Sequence, residues 1–154
     1  MVILLYAFLM GCICGLRSMT APAVVAWGAH LGWLHLRGWL AFFASRISLV
    51  IFSLFAVGEL IADKLPFIPP RTQPGPLGVR ILFGAVCAAA LCNSGGASPV
   101  LGAILGALGA FAGTFAGYYY RRLLSRGATV PDLLVALLED LVAVGGGFLL
   151  VSHL

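Results

Sequence analysis

Apolar residues run almost unbroken along this chain, and its polar interruptions mark segments at about residues 2–16, 20–36, 39–64, 77–92, 98–124 and 131–152. The runs are too long for strands and lack period-two alternation, so each is predicted as a helix. A helix needs roughly 20 apolar residues to cross about 30 Å of hydrocarbon, and the first segment is short of that. Segments one and two therefore read either as two spans or as a re-entrant pair that leaves four. The boundaries have local causes. Ser98-Pro99 opens the fifth segment, and Thr129-x-x-Asp132 with Pro131 opens the sixth as a capping-box pattern, which makes Asp132 a helix cap. Pro66 to Pro76 holds five prolines and reads as a stiff, extended loop without a helix of its own.

Composition fixes the class. With 62% hydrophobic residues and a mean hydropathy of +1.09, the chain is predicted as an all-α, polytopic transmembrane helix bundle. Residues 1–154 form one transmembrane domain, because the apolar segments leave no room for a soluble one. The run Val2 to Gly15 lacks a basic leader and is read as a mature helix rather than a signal peptide. The net charge of +4 would suggest nucleic acid in a soluble protein, yet here it reports topology. Arg17, Lys64, Arg71, Arg80, Arg121, Arg122 and Arg126 fall on one face, with only Arg37 and Arg46 elsewhere. The positive-inside rule makes that face cytoplasmic and puts both termini outside. No nucleic-acid partner is expected. Trp27, Trp33, Trp39 and Tyr118 to Tyr120 lie near the predicted interfaces, as an aromatic belt would.

The halves 1–65 and 77–154, separated by loop 66–76, carry a weak internal likeness. Shifting residues 2–32 by 77 positions brings Val2, Leu5, Pro22, Ala26, Leu31 and Gly32 onto identical residues. Three segments per unit would make this a 3+3 inverted repeat, a common transporter plan with the site at the repeat interface. The fifth segment carries Gly102, Gly106, Gly109, Gly113 and Gly117 at small-xxx-small spacing. That surface suits close helix packing, within the chain or in a homo-oligomer formed through helix 98–124. Cys12, Cys14, Cys87 and Cys92 form no CxxC pair and read as small packing residues. No metal site, cofactor motif, nucleotide loop or catalytic triad appears, so an enzyme is the weaker class.

The ionisable residues carry the chemistry. Glu139 and Asp140 sit side by side within the apolar stretch Leu133 to Leu150, roughly 14 Å into the sixth helix at 1.5 Å per residue. An acid at mid-bilayer costs about 2.5–3.5 kcal/mol, so such residues face a partner or a watery cavity. Adjacent helical positions point about 100° apart, so one arginine does not satisfy both, and one acid is free to bind a proton or cation. Glu59 and Asp63, at i and i+4, share a face near the same inner end. Arg17, Glu59, Asp63, Glu139 and Asp140 thus form the expected substrate- or ion-binding cluster. The polar break Arg17-Ser18-Met19-Thr20-Ala21-Pro22 offers backbone N–H groups, two hydroxyls and a guanidinium, a cradle for an anion or phosphate. Arg17, Ser18, Thr20, Arg121 and Arg122 are accordingly the lipid- or anion-binding set. The plainer alternatives are an ion-pair staple between short helices, with bases snorkelling to anionic headgroups, and a capped helical hairpin.

Gly15-Leu16-Arg17, Glu59-Leu-Ile-Ala-Asp63-Lys64-Leu-Pro66 and Leu138-Glu139-Asp140, in that order, resemble the small bacterial membrane-protein family known as domain of unknown function 4126. The likeness extends over nearly the full length, and Glu-x-x-x-Asp-Lys-x-Pro is its most specific part. It implies a bacterial inner-membrane location and an all-helical fold, and brings no activity with it. The expected function is a small transporter or channel-like protein, with the acidic-basic cluster coupling to protons or cations. The alternatives are an anionic-lipid or lipid-phosphate binding or flipping protein and a structural or assembly protein. Expected partners are membrane lipids and a small ion or anionic ligand.

Overall fold

A computed structural model describes residues 1–62, 72–127 and 132–154, leaving aside the side chains of 124–127 and 132–133. Among these there are six α-helices, one 3-10 helix and no strand: α1 Val2–Leu16, α2 Thr20–His30, the 3-10 helix Gly38–Ala44, α3 Arg46–Ala62, α4 Pro74–Ser94, α5 Pro99–Gly127 and α6 Asp132–Ser152. The last three are each long and apolar enough to cross a membrane, and the 3-10 helix with α3 would make a fourth span bent by 66°. α1 and α2, at 15 and 11 residues, are shorter than one crossing.

Three boundaries differ from the pattern of hydropathy. α2 ends at His30 rather than near 36 because Gly32 takes φ +79°, the left-handed conformation that costs glycine nothing. Gly32 N–H then donates to Ala29 O and Trp33 N–H to Gly28 O, which closes a Schellman motif. Segment 39–64 is broken at Ser45, whose extended backbone and hydroxyl, accepting from Ser48 N–H at 3.1 Å, start α3 afresh. α4 begins at Pro74 rather than 77. Pro74 and Pro76, two of the five prolines that suggested an extended loop, sit in its first turn, where their missing N–H groups would have had no partner. Residues 66–71 of that loop, Thr129 and Pro131 lie outside the described residues.

The centre is a three-helix contact of α1, α4 and α5. α1 runs parallel to α5, with Gly11 against Gly106 and Gly15 against Ala110 and Thr114. α4 runs antiparallel to α5, with Gly84 against Gly106 and Ala110, and Gly102 against Ala88 and Cys92. A Cβ placed on Gly11 would stand 2.2 Å from Gly106 O, so these backbones touch directly. Lipid is as apolar as leucine, so dense packing at small residues holds helices together where burial from water cannot. Thus α5 spends Gly102, Gly106, Gly109 and Gly113 on its own chain, and only its other face remains for a second copy. α6 packs on α2 and α1 and touches α5 at few points. α3 buries none of its residues and rests on α2 and the 3-10 helix.

Candidate functional site

The break between α1 and α2 lies inside this core. Arg17 leaves the helix with an extended backbone (φ −139°, ψ 111°) while its N–H still reaches Ile13 O. Ser18 and Met19 make the turn, and Pro22 falls in the first turn of α2, where an N–H is dispensable. Two short helices therefore meet end to end at a polar joint deep in the protein.

The helices α3, α4, α5 and α6 each bring a charged or hydroxyl side chain to the joint, and α2 brings its N-terminus. Glu59, on α3, lays its carboxylate across that terminus: Oε1 accepts from Ser18 N–H at 2.8 Å and Oε2 from Met19 N–H at 2.7 Å. A carboxylate is favoured there because the unpaired amides and the helix dipole present positive charge. Arg80, on α4 and 4% exposed, donates through Nε to Ser18 Oγ at 3.1 Å and through Nη1 to Gly15 O at 3.0 Å. Its Nη2 stands 3.8 Å from Glu59 Oε1. Thr114 Oγ1, on α5, lies 3.1 Å from Gly15 O and 2.8 Å from Ala110 O. The Cys14 thiol is 3.4 Å from both Ser18 O and Arg80 O. Fully buried Arg17 donates through Nη2 to Asp140 Oδ1 on α6 and pairs with its charge.

Arg17, Ser18, Glu59 and Asp140 of the expected cluster are thus brought together, and Thr20 adjoins them with its hydroxyl buried and lacking a hydrogen-bond partner among the described residues. Glu139 is also a wall residue: it lines a cavity of about 330 Å³ between α5 and α6, with Leu16, Ala116, Gly117, Tyr120, Leu138 and Val142. Arg121 is half-buried and Arg122 exposed, one and two residues beyond Tyr120. Asp63 lies outside the described residues. His30 and Arg46 are exposed and stand apart from the joint. Three members of the site were not among the expected residues: Arg80, Thr114 and Cys14. Arg80 had a signal, being the lone charge in the apolar segment Gly78 to Cys92, and Thr114 is the one hydroxyl between Pro99 and Gly117.

What the joint can do chemically follows from its inventory. Two guanidinium groups and two carboxylates from four helical segments meet at low exposure, and removing one member of such a pair costs about 3–5 kcal/mol because its partner stays buried and charged. The four-helix contact therefore responds to the charge of any one of them.

Fold and site together define a polytopic, all-helical protein built around a buried charged joint between two half-length helices. The chain belongs to the family described as Domain of unknown function (DUF4126), whose match runs over residues 4–153. No curated protein and no solved structure matches it.

Proposed function

We propose that this protein is a small inner-membrane transporter in which the joint between α1 and α2 is the ion- or solute-binding centre and Glu59, Glu139 and Asp140 couple it to protons or cations. The observation that carries this reading is the buried contact of Arg17 with Asp140, made at a break between two helices each too short to cross the membrane. Discontinuous helices with charged partners at depth are where small-ion sites form in transporters. A pure staple would be served as well or better by packed apolar residues. The two acids of α6 also have different surroundings, Asp140 on Arg17 and Glu139 on the wall of a cavity. We orient the basic face to the cytoplasm and both termini outside, from the charge asymmetry. Proteoliposomes carrying a pH- or cation-sensitive dye test the reading: flux above that of protein-free vesicles is expected, and equal flux for protons and all common cations would contradict it.

A second reading rests on the cavity between α5 and α6. Its wall is almost wholly apolar, it lies where two neighbouring helices barely touch, and Arg121 and Arg122 follow Tyr120 at one end. A lipid chain with its phosphate at those arginines would fit it. Faster loss of leaflet asymmetry of a fluorescent phospholipid in the same vesicles would favour this reading over ion transport.

A further inference from the structure

We infer that α6 is a hinged arm: its first half, from Leu134 to Val144, swings about Gly145 and Gly146 against the rigid trio of α1, α4 and α5, and the Arg17–Asp140 pair is the latch that holds it. Glycine weakens a helix relative to alanine, so a glycine kept in mid-helix calls for a reason. Close packing is that reason in α5, where a Cβ added at Gly106 or Gly113 would stand 2.3 Å from a backbone oxygen of the neighbouring helix. It is not the reason here. A Cβ at Gly145 would meet nothing within 4 Å, and one at Gly146 would meet Ile13 Cδ1 at 3.6 Å, an ordinary contact. What two successive unpacked glycines do supply is a place where a helix bends at low cost.

The two sides of the glycines are held differently. Beyond them α6 is fixed to α2: a Cβ at Gly147 would stand 3.1 Å from Val24, and wholly buried Val151 sits against Gly28. Before them, Leu134, Leu137, Leu138 and Leu141 are exposed, and the buried side chains Val135, Ala136 and Ala143 are all small. On the side of α5, which α6 barely touches, the cavity of about 330 Å³ leaves room, with Leu138, Glu139 and Val142 as its α6 wall. Asp140 ties this loosely seated half to Arg17, the residue that ends α1, and α1 lies glycine-tight on α5. A cation that competes for the Asp140 carboxylate therefore loosens the arm, and movement of the arm reshapes the cavity beside the joint. The inference gives the transport reading its moving part and rests on that reading for its use, although the movement is measurable without flux.

The test is a pair of distances in the full chain in nanodiscs, read by pulsed electron resonance between spin labels on genetically encoded ketone residues, which leave the four native cysteines untouched. One pair joins exposed Leu82 of α4 to Leu134 at the free end of the arm, and the other joins Leu82 to Leu149 beyond the glycines. From Gly145 back to Leu134 is about 16 Å of helix, so a bend of about 20° moves that label by about 5 Å. Asp140→Asn, which undoes the latch, should add a population displaced by about that much to the Leu82–Leu134 distances and leave Leu82–Leu149 unchanged. Adding Gly145→Ala and Gly146→Ala, which meet no packed neighbour, should suppress the new population. The inference is overturned if Asp140→Asn leaves Leu82–Leu134 unchanged, if both distances shift alike, or if the alanines leave the displaced population intact. Where Asp140→Asn does not fold, Arg17→Lys weakens the latch with both charges kept; the same new population is expected, and its absence overturns the idea. Movement without any flux leaves the hinge standing and removes the transport reading, while flux through a protein whose α6 stays rigid does the reverse.

Discussion

The guanidinium of Arg17 donates to the carboxylate of Asp140 across 123 positions of sequence. It joins the break between α1 and α2 to the middle of α6, alongside apolar contacts such as Ile13 with Gly146. Because Arg17 is wholly buried, its charge has to be answered locally, and the pair makes the position of α6 depend on the joint.

The pair has a direct consequence for stability. Asp140→Asn should lower the unfolding temperature in detergent, by a loss of about 3 kcal/mol, because Arg17 stays buried opposite a neutral amide. Glu139→Gln, on the cavity wall, should cost less. Equal losses in both variants would mean that the two acids share one network.

Arg17→Lys should be a poor substitute although it conserves charge. A guanidinium offers a rigid planar fork, while an ammonium is a compact point charge on a flexible stem. The expected loss is about 1.5–3 kcal/mol of stability, the range of a hydrogen bond to a charged group, read by thermal unfolding. Retention of full stability would show that the pair needs only charge.

The glycine contacts predict opposite signs for the same change. At Gly11 a methyl would meet Gly106 O at 2.2 Å, so Gly11→Ala must push α1 off α5 and should cost about 1–3 kcal/mol. Gly58 on α3 faces open space, and Gly58→Ala should be neutral or gain up to about 1 kcal/mol from helix propensity. Chemical or thermal unfolding of the two variants side by side decides it.

How far the sequence could be read depends on the kind of signal. Long apolar runs predict helices whatever their neighbours do, and α1, α5 and α6 lie close to where hydropathy puts them. Breaks set by single residues were not legible that way: Gly32 ends α2 by its backbone conformation, and Ser45 splits a continuous apolar run by capping. Acids in oil announce themselves by cost, so Glu59, Asp140 and Arg17 were visible, and the small-residue stripe of α5 was readable as a packing surface. Arg80 was counted among the inner bases without a role, because its hydrogen bonds to Gly15 O and Ser18 Oγ go to neutral atoms that no charge pattern reveals. The pairing itself, Glu59 on two backbone amides and Asp140 on Arg17, depends on helix contacts that a single sequence does not encode in any local pattern.

Orientation is a separate expectation. With the basic face inside, a cysteine at Gln73, exposed just ahead of α4, should react with an impermeant thiol reagent only after cells are opened. One at Gly96, exposed between α4 and α5, should react in intact cells. The reverse pattern would invert the protein in the membrane.

The most direct test of a functional charged joint is flux through vesicles that hold equal amounts of folded Glu139→Gln, Asp140→Asn or Asp132→Asn protein. Asp132 starts α6, whereas the other two acids lie mid-helix, and only they belong to the proposed coupling set. The account predicts that Asp132→Asn keeps the flux of the unchanged chain and that both mid-helix variants lose it by roughly tenfold or more. Undiminished flux in Glu139→Gln and Asp140→Asn, from protein shown to be folded, would contradict it and leave the buried charges as a staple between helices.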